Sequence, residues 1–126
     1  MSKRDFTTWK VDDLCEQYAE LSVRQSVASD LAQMSVVNRL GGEIREIGDE
    51  LKSRPDDRGR TLMRLFDHPN LNVRLNAGRS LMNMFPEEAR MQIQAIADSG
   101  KYPFAIEADL YLSSLDGELA EMLRRN

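Results

Sequence analysis

The chain has 126 residues, of which 41% are apolar and 30% are charged, and its formal net charge is −4. This composition is typical of one folded globular domain, expected here over residues 1–126, and it excludes a disordered chain. The acidic balance also disfavours a general nucleic-acid binder, because such proteins usually carry an excess of basic residues.

The start of the chain and its cysteine content favour a cytoplasmic protein. Residues 1–5 lead into no apolar run, so we expect no signal peptide. No stretch approaches the roughly 20 apolar residues that cross a bilayer, so we expect no membrane association. Cys15 has no second cysteine with which to form a disulfide, and this suits a reducing compartment.

Two amphipathic helices are predicted in the first part of the chain, because apolar residues recur there at steps of three and four. The first helix, capped by Thr7 or Thr8, carries the stripe Val11, Leu14, Tyr18 and Leu21, and it is expected to continue through Val23, Val27 and Ala28. The second carries the stripe Val37, Leu40, Ile44, Ile47 and Leu51. Pro55 stops the second helix. Gly41 and Gly42 lie inside it, and we favour close packing against a neighbouring helix there over a hinge.

A short third helix is predicted from about Asp57 to Phe66, followed by a tight turn that Asn70 ends as a helix cap. The fourth helix has two apolar stripes: Val73, Ala77, Leu81 and Met84 form one, and Leu71, Leu75, Gly78 and Met82 form the other. A helix with two apolar stripes has neighbours on two sides, so this helix is predicted to be interior.

Prolines and glycines divide the rest of the chain. Pro86 is predicted to open a fifth helix and Gly100 to cap its end. Pro103 opens a sixth helix, which Asp116 and Gly117 break, and a short seventh helix follows. About seven helices, mostly pairable as antiparallel hairpins, predict an all-α fold.

The turn and fourth helix resemble the turn and second helix of a HEAT repeat in the residues Asp67, Pro69, Val73, Arg74, Ala77 and Leu81. The resemblance implies an α-α superhelix of about three HEAT-like hairpins. It also implies that Asp67 closes the turn and that Arg74 contacts an acidic or carbonyl group of an adjacent repeat. Gly78 departs from the pattern, which often has alanine there.

A wider resemblance covers residues 11–115 and rests on stretches such as CEQYAELSVRQ, LFDHPNLNVRLNAGRSL and PEEARMQIQAIA. These are similar to small bacterial HEAT-like proteins of the armadillo type that form a domain family of unknown function. The resemblance implies a bacterial cytosolic protein and transfers no catalytic residue.

No arrangement of reactive residues predicts catalysis. His68 is the only histidine, and a turn histidine is a better interpretation than a metal ligand without partners. Cys15 is expected to be a semi-buried thiol, since no basic partner for a nucleophile is evident. We therefore expect no enzyme, no metal and no cofactor.

Two polar surfaces are candidates for binding. Asn72, Asn76, Arg79 and Asn83 follow helical steps of four, three and four and predict an exposed asparagine ridge that contacts a protein partner. The basic junction Lys52, Arg54, Arg58, Arg60 and Arg64 could instead contact phosphates, or be a solvated, salt-bridged surface.

The leading hypothesis is therefore a non-enzymatic protein-interaction module, one form of which is an immunity-type neutralising protein. The alternative is a nucleic-acid-binding HEAT-like protein that uses the basic junction. Neither the partner nor the oligomeric state follows from these patterns.

Overall fold

The computed structural model describes residues 5–125, and residues 1–4, on which the signal-peptide expectation rests, lie outside this range. Five α-helices and two 3-10 helices make up the regular structure of the described chain, which contains no strand. The all-α prediction is confirmed. The helices are α1 (Val11–Asp30), α2 (Met34–Ser53), α3 (Leu71–Leu81), α4 (Pro86–Asp98) and α5 (Phe104–Arg125), with 3-10 helices at Phe6–Thr8 and Arg60–Asp67.

Helix α3 is the interior element of the fold, as its two apolar stripes predict. One stripe, which includes Val73 and Ala77, packs into a core formed with α1, α2 and the second 3-10 helix. Leu75 lies on the other stripe and packs with Ile93 of α4 and Leu112 of α5. Within α3, not one residue is exposed.

Glycines allow α3 to approach its neighbours closely. A Cβ atom at Gly78 would lie 2.8 Å from Cγ1 of Ile93 on α4, so the departure from alanine at this position makes room for α4. A Cβ atom at Gly48 of α2 would lie 2.7 Å from Oγ of Ser80 on α3. A side chain at either position would require the neighbouring side chain, Ile93 or Ser80, to shift.

The structure corrects the predicted start of α1 and the type of the third helix. Thr7 and Thr8 belong to a separate 3-10 helix, and α1 begins at Val11 without a side-chain cap. The predicted third helix is a 3-10 helix that begins at Arg60, because Arg58 and Gly59 adopt left-handed backbone angles (φ 54° and 85°) that an α-helix does not contain.

The predicted break at Asp116 and Gly117 is wrong. Helix α5 continues through both residues to Arg125, so the predicted seventh helix is the end of α5. One interior glycine costs only about 1 kcal/mol relative to alanine, which a long continuous helix tolerates.

The helix boundaries around α3 and α4 follow the sequence closely. The Asn70 side chain caps α3 by accepting hydrogen bonds from the backbone N–H groups of Asn72 and Val73. Pro86 lies in the first turn of α4. Gly100 follows α4 with a φ of 69°, the conformation that glycine adopts most easily at a helix end.

Two contacts of the turn before α3 differ from those that the resemblance implies. Asp67 is exposed and its side chain makes no hydrogen bond or ion pair within residues 5–125; Nδ1 of His68 instead accepts the Asn70 N–H at 3.0 Å. Arg74 does contact a carbonyl, but that carbonyl belongs to His68 in the preceding turn and not to an adjacent repeat. Pro69 is exposed in the turn, while Val73 and Leu81 are fully buried.

Substituting Ala77 by Asp should lower the free energy of unfolding by at least about 3 kcal/mol, because it would bury an unpaired carboxylate. Ala77 is 0% exposed between two helices. The matched control is Ala95→Asp on the exposed face of α4, where we expect a loss of about 0.7 kcal/mol from helix propensity. Urea denaturation measures both, and equal effects would contradict the observed packing of α3.

Candidate functional site

The predicted asparagine ridge does not lie on an exposed surface. Asn72 is 7% exposed, Asn76 and Arg79 are half-buried, and only Asn83, which follows the end of α3, is exposed. The ridge prediction is wrong in this respect because α1 covers the first turns of α3. Polar spacing on a helix indicates a shared face, but it does not say whether that face meets water or another polar helix.

Asn72 and Asn76 bind α1 through side-chain hydrogen bonds. Asn72 Nδ2 donates to the Ser22 carbonyl at 2.8 Å and to Gln25 Oε1 at 2.9 Å. Asn76 Nδ2 donates to Ser22 Oγ and to Gln25 Oε1, both at 3.0 Å. These bonds satisfy polar groups inside the protein, so they fix the position of α3 on α1.

A matching signal for this polar contact exists in α1. Ser22 and Ser26 are buried at a spacing of four residues and Gln25 is half-buried between them, whereas Val27, predicted to face inward, is 53% exposed. The inward face of α1 thus turns polar after Leu21. The sequence patterns do not indicate which helices touch. The contact of this face with the asparagines of α3 was therefore not predicted.

Beside this contact, a cleft of about 530 Å³ opens between α2 and α3. Helix α1 packs against both α2 and α3, while α2 and α3 meet each other over a smaller contact. Tyr18 and Gln25 of α1 line the cleft, together with Gly41 and Gly42 of α2. A Cβ atom at Gly41 would lie 3.2 Å from Nε2 of Gln25 on α1, whereas Gly42 has open space around it and leaves the cleft accessible.

Cationic side chains outnumber carboxylates in this cleft. Arg45, Lys52 and Arg79 line it with a single acidic residue, Asp49, whose carboxylate lies 3.6 Å from Lys52 Nζ. The local charge is therefore positive in a chain whose formal net charge is −4. A concave site with an excess of positive charge attracts anionic groups.

Arg79 holds the most specific position in the cleft. Its guanidinium lies over the Tyr111 ring of α5, 5.6 Å from the ring centroid, which fixes it through a cation–π contact. Among the residues that the structure describes, no carboxylate pairs with Arg79 and no carbonyl accepts from it. A half-buried guanidinium with unused donors is prepared for an external planar anion.

Neither of the two tyrosines beside Arg79 neutralises its positive charge. Burial raises the pKa of Tyr18 above its ordinary value, and the hydrogen bond with Ser80 and the positive charge of Arg79 offset only part of this shift. Burial likewise raises the pKa of Tyr111, and the Arg79 charge opposes that change. Both phenols are therefore neutral at physiological pH, and the positive charge of Arg79 remains uncompensated.

The basic junction is used mainly in contacts within the chain. Arg54 donates to Glu50 at 3.0 Å and to the Phe6 carbonyl at 3.1 Å, and Arg64 pairs with Asp12 at 2.8 Å. The Arg60 guanidinium lies 5.6 Å from the centroid of the Phe85 ring. Arg58 is exposed in the turn before the second 3-10 helix. Four of the five cations, including Lys52, thus already have protein partners.

Cys15, the thiol considered as a nucleophile, lies in the packed interior. Cys15 is buried, and its Sγ lies 3.7 Å from the Thr61 carbonyl oxygen. Burial raises the pKa of this thiol, so it stays protonated at neutral pH. Over residues 5–125, no group of three or more His, Cys, Asp or Glu side chains is placed to hold a metal ion.

These observations define an all-α domain with a polar, positively charged cleft between its second and third α-helices. A family model described as "Domain of unknown function (DUF2019)" matches residues 12–116. The chain therefore belongs to this family, and the expectation of a domain family of unknown function is confirmed.

A solved structure shares the fold. The crystal structure of the protein RPA1889 from Rhodopseudomonas palustris CGA009 is 38% identical to this chain and superposes with a TM-score of 0.87. The match covers 91% of this chain and 95% of the other. A comparison with curated proteins finds no match. Within the described range, none of the helices combines the length and the apolar character that crossing a membrane requires.

Substituting Asn72 by Ala should lower the free energy of unfolding by about 1–3 kcal/mol, because it removes the two hydrogen bonds that Asn72 Nδ2 donates to the Ser22 carbonyl and to Gln25 Oε1 of α1. Asn83→Ala is the matched control, since Asn83 is exposed, and we expect a change within about 0.5 kcal/mol. Chemical denaturation of both variants gives the comparison. Equal stabilities for the two variants would contradict a structural role for the polar contact between α1 and α3.

Proposed function

We propose that the protein is a non-enzymatic interaction module whose α2–α3 cleft receives a carboxylate-bearing segment of a protein partner. The observation that carries this proposal is Arg79, a half-buried guanidinium that faces the cleft without an acceptor among the described residues. The sequence hypothesis of a protein-binding surface is kept in a changed form, with its centre moved from the ridge to the cleft.

A HEAT-like architecture of about three hairpins is part of this proposal. Helices α1 and α2 form the first hairpin, the second 3-10 helix and α3 the second, and α4 and α5 the third. In HEAT-like stacks, the second helices of the hairpins line the face that binds partners. The cleft is bounded by α2 and α3, which are the second helices of the first two units, and this supports the assignment.

The chemistry around Arg79 favours a peptide as the ligand. Asn76 uses its Nδ2 group for α1, and its Oδ1 atom, for which no donor is present in residues 5–125, is available to accept a peptide N–H. A guanidinium binds a carboxylate through two parallel hydrogen bonds, so Arg79 and Asn76 together recognise an acidic residue within a peptide. Arg45 adds a second positive charge from the opposite wall of the cleft.

A nucleic-acid ligand has less support. The basic junction has four of its five cations in contacts within the chain, and the chain carries a net charge of −4. Binding to any duplex sequence depends on many phosphate contacts from unpaired cations. A module that binds an acidic protein segment needs only the few cations of the cleft. A neutralising role of the immunity type, a bacterial source and a cytoplasmic location remain hypotheses that agree with this function.

The proposal is tested by selecting ligands from a displayed library of random peptides. We expect enrichment of peptides with Asp or Glu, and Arg79→Ala should weaken their binding at least tenfold because an interface arginine commonly contributes about 2 kcal/mol or more. Arg79→Lys should restore part of the affinity, since it keeps the charge and loses the planar fork. Isothermal titration calorimetry measures each dissociation constant.

Arg39→Ala is the matched control, because Arg39 is an exposed arginine of α2 that does not line the cleft. It should leave peptide affinity within about twofold, well under the tenfold that 1.4 kcal/mol represents. Two results would contradict the proposal that Arg79 binds an acidic residue in the cleft: enriched peptides that lack Asp and Glu, or peptides that bind the Arg79→Ala variant as tightly as the unchanged protein. Tight and strongly salt-dependent binding to duplex DNA, weakened by Arg58→Ala and Arg60→Ala, would instead support the nucleic-acid alternative.

A further inference from the structure

The end of α5 lies outside the packed body of the protein. Arg90 of α4 pairs with Asp116 of α5 at 2.7 Å, and every residue from Asp116 to Arg125 is exposed. We call residues 116–125 the exposed end of α5. A helix of this length is only marginally stable by itself in water, and most helices in proteins are stabilised by packing of one face. The residue pattern of the exposed end therefore indicates what kind of surface packs on it.

One apolar stripe runs from the buried part of α5 into the exposed end. Its residues follow alternating steps of three and four: Ala105, Ala108, Leu112, Leu115, Leu119 and Met122. Ala108 and Leu112 are buried and Leu115 is half-buried, whereas Leu119 and Met122 are 56% and 64% exposed. This is the spacing with which helices pair in coiled coils. The stripe continues into residues 116–125, which α4 does not cover.

We propose that the exposed end of α5 pairs antiparallel with the same segment of a second copy of this chain. Leu119 of one copy then packs against Met122 of the other across a two-fold axis, as in an isologous dimer. Leu123 lies beside the stripe, is 67% exposed and enlarges the apolar contact.

The charges beside the stripe select a second copy in this orientation. Glu118 and Arg125 are seven residues apart and therefore lie along the same edge of the stripe. Antiparallel pairing brings Glu118 of one copy near Arg125 of the other, twice in each dimer. Parallel pairing would instead set Glu118 beside Leu123 of the other copy, where no ion pair forms. The ion pairs that Glu121 makes with Arg124 and Arg125 are exposed, at 3.7 and 3.5 Å, and compete only weakly.

The shape of the molecule is also compatible with antiparallel pairing. The body of each copy lies on the amino-terminal side of its exposed end, so antiparallel pairing places the two bodies at opposite ends of the paired helices. A contact between two such short segments is smaller than the roughly 1,200–2,000 Å² of a standard interface. The dimer is therefore expected to dissociate on dilution.

Sedimentation equilibrium of the 126-residue chain tests the proposal over micromolar to millimolar concentrations. We expect the average mass to rise from one chain towards two, and Leu119→Glu to raise the dissociation constant at least tenfold. Leu110→Glu is the matched control: Leu110 is 64% exposed on the same helix but lies off the stripe, so this variant should associate like the unchanged protein.

Charge reversal supplies an independent test. Glu118→Arg and Arg125→Glu should each weaken association, and the two changes together should restore it. A chain that stays monomeric at millimolar concentration overturns the proposal. An equal loss of association in Leu110→Glu and Leu119→Glu, or a double charge variant that stays as weak as the single ones, also overturns it.

Discussion

The fold depends on one constraint, the position of α3 between two apolar cores. Its apolar stripes contribute to the cores on both sides, and none of its residues is exposed. Polar side chains on such a helix need partners inside the protein, because a buried amide without hydrogen bonds costs about 1–3 kcal/mol. Asn72 and Asn76 meet this need through Ser22 and Gln25 of α1.

The cleft follows from the same arrangement. With α1 held against α3 by its polar contact, α2 packs on α1 and stays apart from the middle of α3. Gly48 permits one close contact near Ser80, while Gly41 and Gly42 keep side chains out of the remaining space. This opening exposes the Arg79 guanidinium, which closer packing of α2 on α3 would cover. The interior helix α3 therefore supplies the candidate binding group.

Two different surfaces thus have different physical characters. The cleft is concave, polar and positively charged, which suits the recognition of a carboxylate. The exposed end of α5 carries an apolar stripe with charges of both signs beside it, which suits a helix with the same pattern. The two surfaces lie on different elements, apart from the contact of Tyr111 with Arg79, so a partner in the cleft and a second copy on α5 are compatible.

Local patterns in the sequence determined the helical class, most helix boundaries and the interior position of α3. These features depend on neighbours in the chain: Asn70 caps through N–H groups two and three residues ahead, and apolar spacing defines a face by itself. Only the tertiary structure decided that Asn72 faces α1, that Arg79 faces a cleft and that α5 continues past Gly117. Whether a polar face meets water or another helix depends on contacts between residues some fifty positions apart, such as Ser22 with Asn72, and helical periodicity carries no information about such pairings.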